Sequence, residues 1–132
     1  DETMDWFNTQ FSRDYAYGLL YPQIFPNHKR PNDEQHNGVI AWGKDKTKVW
    51  LGVLDKNIIG SKEYTTSDSI SIADYFGACV LATGEAVGCT FEEYPNVRRW
   101  FATMKKLPSW APVHEVLYGF GQSMAGKQFE RV

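Results

Sequence analysis

The polar residues best placed for chemistry are few. Asp74 stands three residues after Ser71, a carboxylate and a hydroxyl close enough for acid–base work. The same offset suits a helix start. There the Ser71 hydroxyl accepts from the Asp74 N–H, while the Asp74 carboxylate accepts from the Ser71 N–H. That closes two donors a helix start leaves unpaired, so Ser71 and Asp74 are read as an N-cap and not as catalytic groups. On this reading Asp74→Asn costs less stability than Asp74→Ala, because the amide oxygen still accepts. The Glu92-Glu93 pair precedes the Tyr94-Pro95 helix start and reads as electrostatic support. His28, His36 and His114 lie far apart with no ligand spacing, so each reads as a loop or surface residue. Cys79 and Cys89 form neither a metal nor a redox spacing. Cys79 reads as a small buried thiol, and Cys89, nearer a helix end, as the more exposed of the two. No Gly-rich phosphate loop and no nucleophile elbow occurs. No catalytic residue and no metal site is assigned.

The elements that carry these groups are helices. Residues 1–21 read as the first, with Asp1, Glu2 and Asp5 at its positive N-terminal end. Met4, Phe7, Phe11, Tyr15 (or Asp14) and Gly18 share one face; Trp6, Gln10, Arg13, Tyr17 and Leu20 share another. A helix aromatic on two faces touches more than its own core, or exposes apolar surface. Pro22 and Pro26 end or kink it. Asn32 reads as the N-cap of a second helix to about Leu54, with Ile58 and Ile59 continuing the apolar signal to a stop at Gly60. Gly38 and Gly43 weaken that helix, so packing must hold it. Residues 70–88 are apolar on every side from Tyr75 until Glu85, the pattern of a central helix buried all round, with Ile70 and Tyr75 as a staple across its cap. Pro95 opens a further helix to about Lys106, burying Val97, Phe101 and Met104 with Trp100 beside them. Pro108 stops it. A last helix from Ser109 or Trp110 has Val113, Val116, Leu117 and Phe120 as its inner face. The Gly-containing tail beyond is expected to be loose, with Phe129 able to dock. The fold class is all-α, a bundle of about five helices in one domain, residues 1–132.

Composition bounds the function classes. The chain has 132 residues, five Trp and eight Phe, enough for a core of large rings. A net charge of −2 without a basic cluster excludes nucleic-acid binding through phosphates. No apolar run is long enough to cross a bilayer, so no membrane partner is expected. Nothing requires an oxidising compartment, which points to the cytoplasm.

The capped central helix, Ser71-Ile72-Ala73-Asp74, followed by Tyr94-Pro95-Asn96-Val97-Arg98-Arg99-Trp100, resembles the C-terminal domain of cytosolic glutathione transferases. The resemblance runs from Met4 to about Phe120. It departs from the family's usual Gly-Asp before the cap, where this chain has Ser67-Asp68. The resemblance implies that the first helix borders a groove holding an electrophile, which makes Trp6, Phe7, Gln10, Phe11, Arg13, Asp14 and Tyr17 candidate substrate-binding residues. The alternative is that these rings pack into the bundle or a dimer interface. The resemblance also implies an upstream thioredoxin-like N-terminal domain that binds glutathione, the co-substrate of the full-length parent, and activates its thiol. No βαβ pattern of that kind is legible here, and no cofactor site is expected in this chain. Opening on the first helix without Met, the chain reads as a fragment or an independently encoded half. Two functions stay open: the electrophile-side domain of such an enzyme, as a monomer or a homodimer, or a non-catalytic protein–protein interaction module on the same fold.

Overall fold

In the computed structural model, which describes residues 2–132, the chain forms five main helices. α1 spans residues 2–24, α2 residues 33–59, α3 residues 72–87, α4 Pro95–Lys105 and α5 Trp110–Ser123. No strand occurs among the described residues, and the all-α reading stands. Asp1, expected at the start of the first helix, lies outside the described residues.

α1 is wider than an ordinary α-helix. Turns closed i→i+5 run through Phe7–Phe11 and Arg13–Leu20. The Ser12 N–H and hydroxyl both donate to the Phe7 carbonyl, the hydroxyl at 2.7 Å. Such turns hold more residues than the 3.6 of an α-turn, so residues four apart stay aligned. Phe7, Phe11, Tyr15 and Leu19 accordingly share one fully buried row. Leu19 takes the core position that ordinary periodicity gave to Gly18. Leu20, assigned to the outer face, is buried as well. Pro22 is accommodated within the helix, and the chain turns away at Phe25, whose extended backbone is what a following proline demands.

α2 starts as expected, Asn32 accepting from the Gln35 N–H at 2.9 Å, and stops at Gly60, where φ is +56°. Its Gly43 lies against Gly18, so the backbones of α1 and α2 cross in direct contact. The packing that offsets the low helix propensity of Gly43 is this crossing.

The capping box of α3 forms, and Asp74 is fully buried. One carboxylate oxygen accepts from the Ser71 N–H at 2.9 Å and the Ser71 hydroxyl at 3.1 Å. The other accepts from the Thr65 N–H at 2.8 Å, the Thr65 hydroxyl at 2.9 Å and the Trp100 indole N–H at 2.9 Å. Asp74 thus ties the preceding loop, α3 and α4 together. The Ser67-Asp68 pair serves that loop: Asp68 accepts from the Glu63 N–H at 3.0 Å, and Ser67 bonds to Ser69. No residue of the loop past Gly60 has a positive φ, so serine is accommodated without strain.

α3 is not buried on every side. Ala73, Asp74, Gly77, Ala78, Leu81 and Ala82 face the core, but Ile72 is 65% exposed and Tyr75 45%. Tyr75, expected to staple inward, belongs to this outer face. The cysteines exchange the places expected of them: Cys79 is exposed on the outer face, and Cys89 is buried. Burial raises the Cys89 thiol to about 11.

α4 buries Val97, Trp100, Phe101 and Met104. Its first N–H groups are satisfied from α2, the Asp55 carboxylate accepting from Asn96 N–H at 2.7 Å and Val97 N–H at 3.0 Å. In α5 the inner face is Trp110, His114, Tyr118 and Leu117, whereas Val113 and Val116 are exposed, Val116 at 85%. The helix is rotated from its expected orientation because the aromatic row brings its polar atoms to partners. His114, expected at the surface, is buried; it stacks on Trp110 with centroids 3.8 Å apart, and its Nδ1 lies 2.9 Å from the Trp110 carbonyl. The tail is anchored despite its glycines. Gln23 and Glu130 exchange two hydrogen bonds at 2.8 and 2.9 Å, and Val132 accepts from the Thr90 and Phe91 N–H groups.

Candidate functional site

The wide turns of α1 decide which of its residues reach the surface. Of the residues assigned to a substrate pocket, Phe7 and Phe11 are in the interior: Phe7 stacks near Trp100 at 6.1 Å and Phe11 lies 4.8 Å from Tyr15. Trp6 covers them from outside, half-buried, with Phe7, Phe11 and Trp50 at 5.2, 5.5 and 6.3 Å. Asp14 is buried and joins α1 to α2, accepting from the Trp50 indole N–H at 2.7 Å and the Arg13 guanidinium at 2.9 Å. Burial alone would push the Asp14 carboxyl up; the bonds from Arg13 and Trp50 outweigh it and hold the group below its ordinary value. Arg13, Gln10 and Tyr17 are exposed. The seven residues therefore do not line one cavity.

A groove of about 290 Å³ runs between α1 and α3, with Ser12, Ala16, Tyr17 and Tyr21 on one wall and Phe76, Cys79, Val80 and Thr83 on the other. Aromatic rings continue from its α1 side. Tyr17 and Tyr21 meet edge to face at 4.9 Å, Tyr21 lies 5.3 Å from Phe25, and Phe25 stacks on Phe120 of α5 at 6.2 Å and 14°. His28 borders Tyr17 and Tyr21 at 6.0 and 5.4 Å. Tyr17, Phe25 and Phe120 are exposed, so this strip is surface, not core. Apolar rings with a few hydroxyls suit a flat apolar molecule and provide little for a charged one. Of the residues assigned from sequence, Tyr17 alone borders this groove. Tyr21, Phe25, Cys79 and Phe120 were missed. The spacing of 17, 21 and 25 repeats the four-residue period of the buried row and was the available signal; Phe120 had none.

Tyr17 also borders a wider groove between α1 and α2, about 700 Å³, with Arg13, Arg30, Gln35 and Trp42. Among the described residues no cluster of His, Cys, Asp or Glu could hold a metal ion, and no helix is long and apolar enough to cross a membrane.

The family model for the glutathione S-transferase C-terminal domain matches residues 22–108, and the chain belongs to that family. Within it, "Glutathione S-transferase hmp2" of Hypomyces subiculosus is 38% identical over 55 residues, 40% of this chain and 26% of that protein. A solved delta-class glutathione transferase of Nilaparvata lugens superposes with a TM-score of 0.63 at 22% identity, over 92% of this chain and 53% of that one. That likeness is one of fold. The chain spans about half the length of the solved relative, and the match to the curated one about a quarter of its length.

Proposed function

We propose that this domain is the electrophile-side half of a glutathione transferase-like protein. The observation that carries the reading is the exposed aromatic strip, Tyr17, Tyr21, Phe25 and Phe120, continuing the groove between α1 and α3. In the reaction a glutathione thiolate attacks an electrophilic carbon, forming a C–S bond as the leaving group departs or a ring opens. The strip holds the apolar body of the electrophile; no side chain here is assigned to activate the thiol. Glutathione and the activating group belong to a thioredoxin-like N-terminal domain of the parent. The exposed outer face of α3, with Ile72 and Tyr75, is apolar surface suited to contact with that domain. Among the first-helix candidates, Tyr17 is the one proposed to touch ligand, since it borders the groove; Trp6, Gln10 and Arg13 lie away from it. Phe7, Phe11 and Asp14 act from beneath by holding α1 in the bundle. On family grounds the reading also assigns the protein to the cytoplasm and to a homodimer, for which Trp42 and Val49 of α2 are exposed apolar surface.

The test is a split between substrates in the full-length protein. Tyr21→Ala and Phe120→Ala should each raise KM for an apolar aryl electrophile about tenfold, the equivalent of ~1.4 kcal/mol of lost ring contact. KM for glutathione should stay within about twofold, a difference of ~0.4 kcal/mol. Equal rises for both substrates would remove the strip from the electrophile site.

A further inference from the structure

α5 carries Phe120, and its hold on the bundle runs through a chain of polar groups that the proposed chemistry does not use. Tyr118 donates its phenol O–H to Glu85, at the end of α3, at 2.7 Å. The Trp110 indole N–H donates to the same phenol oxygen at 2.8 Å. The other Glu85 oxygen is paired with the Lys105 ammonium of α4. Three helices thus meet at one carboxylate. Three residues beyond Tyr118, Gly121 lets the α5 backbone lie close on Ala86; a Cβ there would stand 3.3 Å from the Ala86 Cα. Phe120 lies between these two fixed points, and its ring stacks on Phe25. The opposite side of α5, with Val113 and Val116, is exposed and adds no hold. Burial, and then the hydrogen bond to Glu85, push the Tyr118 phenol up to about 12, so it remains a donor at neutral pH.

We propose that Glu85 and Tyr118 are positioning residues that set the gap between Phe25 and Phe120, and through it the size of electrophile the site accepts. This rests on the reading of the aromatic strip as the electrophile wall. With the Tyr118–Glu85 bond intact, Phe120 is held against Phe25 and the strip favours compact aryl electrophiles. Without it, α5 keeps the Gly121–Ala86 approach and its apolar inner contacts but loses the fixed point on the N-terminal side of Phe120, the gap widens, and bulky substrates gain.

The experiment measures kcat/KM of the full-length protein for chlorodinitrobenzene and for a polycyclic arene epoxide. Tyr118→Phe and Glu85→Ala should each shift the compact-to-bulky ratio about tenfold toward the bulky substrate, a change of ~1.4 kcal/mol. Glu85→Gln, whose amide oxygen still accepts from Tyr118 while the partly exposed Lys105 side chain swings clear of the new NH2, should retain the ratio. A merely structural weakening would lower both values together. An unchanged ratio in Tyr118→Phe, or an equal shift in Glu85→Gln and Glu85→Ala, would overturn the proposal; the Glu85 pair decides it if Tyr118→Phe does not fold. Phe120→Ala separates the two levels. Its raising KM for chlorodinitrobenzene while Tyr118→Phe leaves the ratio unchanged overturns the positioning role alone. No effect of Phe120→Ala on either electrophile overturns the wall, and the positioning role with it.

Discussion

Asp74→Ala is expected to lower the free energy of unfolding by about 4 kcal/mol, at the upper end of single substitutions. Five donors meet this carboxylate, from Ser71, Thr65 and Trp100, and the residue is fully buried. Removing it leaves two backbone N–H groups and an indole N–H without their acceptor, and each such loss costs about 1–3 kcal/mol before relaxation. Asp74→Asn is expected to cost less than Asp74→Ala, as the sequence reading had it, but only a little less, about 3 kcal/mol. Both oxygens face donors only, so wherever the amide NH2 goes it meets a backbone N–H. Urea unfolding midpoints at unchanged slope check both variants. A loss under about 1 kcal/mol for Asp74→Asn would show that one oxygen is dispensable.

Gly43→Ala is expected to cost about 3 kcal/mol or to force α1 and α2 apart. Its Cβ would stand 2.6 Å from the Gly18 carbonyl carbon and 2.7 Å from the Leu19 nitrogen. These are backbone atoms of a packed helix and cannot rotate aside. The damage would reach the site, because α1 carries Tyr17 and Tyr21. Gly38 and Gly52, on the same helix, have nothing within 4 Å of an added Cβ. Gly38→Ala and Gly52→Ala should instead stabilise by about 0.5 kcal/mol through helix propensity and a less flexible unfolded chain. Thermal melts of the three variants check the contrast. Similar behaviour of all three would mean that the crossing is looser than its geometry.

What the sequence made legible was local. Ser71 and Asp74 sit three residues apart, so their cap could be read directly; the Thr65 and Trp100 donors to the same carboxylate could not, because folding alone brings them there. The start of α4 shows the same limit. Pro95 announced it, but the acceptor for its N–H groups is Asp55, some forty residues earlier. The apolar composition of α3 implied burial all round, yet Ile72, Tyr75 and Cys79 face outward. In α5 the valines suggested the inner face, and the Trp110–His114–Tyr118 row took it by satisfying its polar atoms internally. At the site, the family resemblance named Phe7 and Phe11 as substrate-binding candidates, whereas periodicity had put both on one face with Tyr15, the face that is buried. The i→i+5 turns of α1 brought Leu19 into that row in place of Gly18. The four-residue spacing of Phe7, Phe11, Tyr15 and Leu19, repeated in Tyr17, Tyr21 and Phe25, was the sign of those turns.

The most direct test is calorimetric titration of the 132-residue chain with glutathione, beside fluorescence titration with an apolar anilinonaphthalene dye. The expected result is dye binding at the aromatic strip, weakened about tenfold, or ~1.4 kcal/mol, by Phe120→Ala, with no saturable glutathione binding at any accessible concentration. Saturable binding of glutathione by this chain alone would contradict the assignment of the electrophile side to this domain and the thiol side to another.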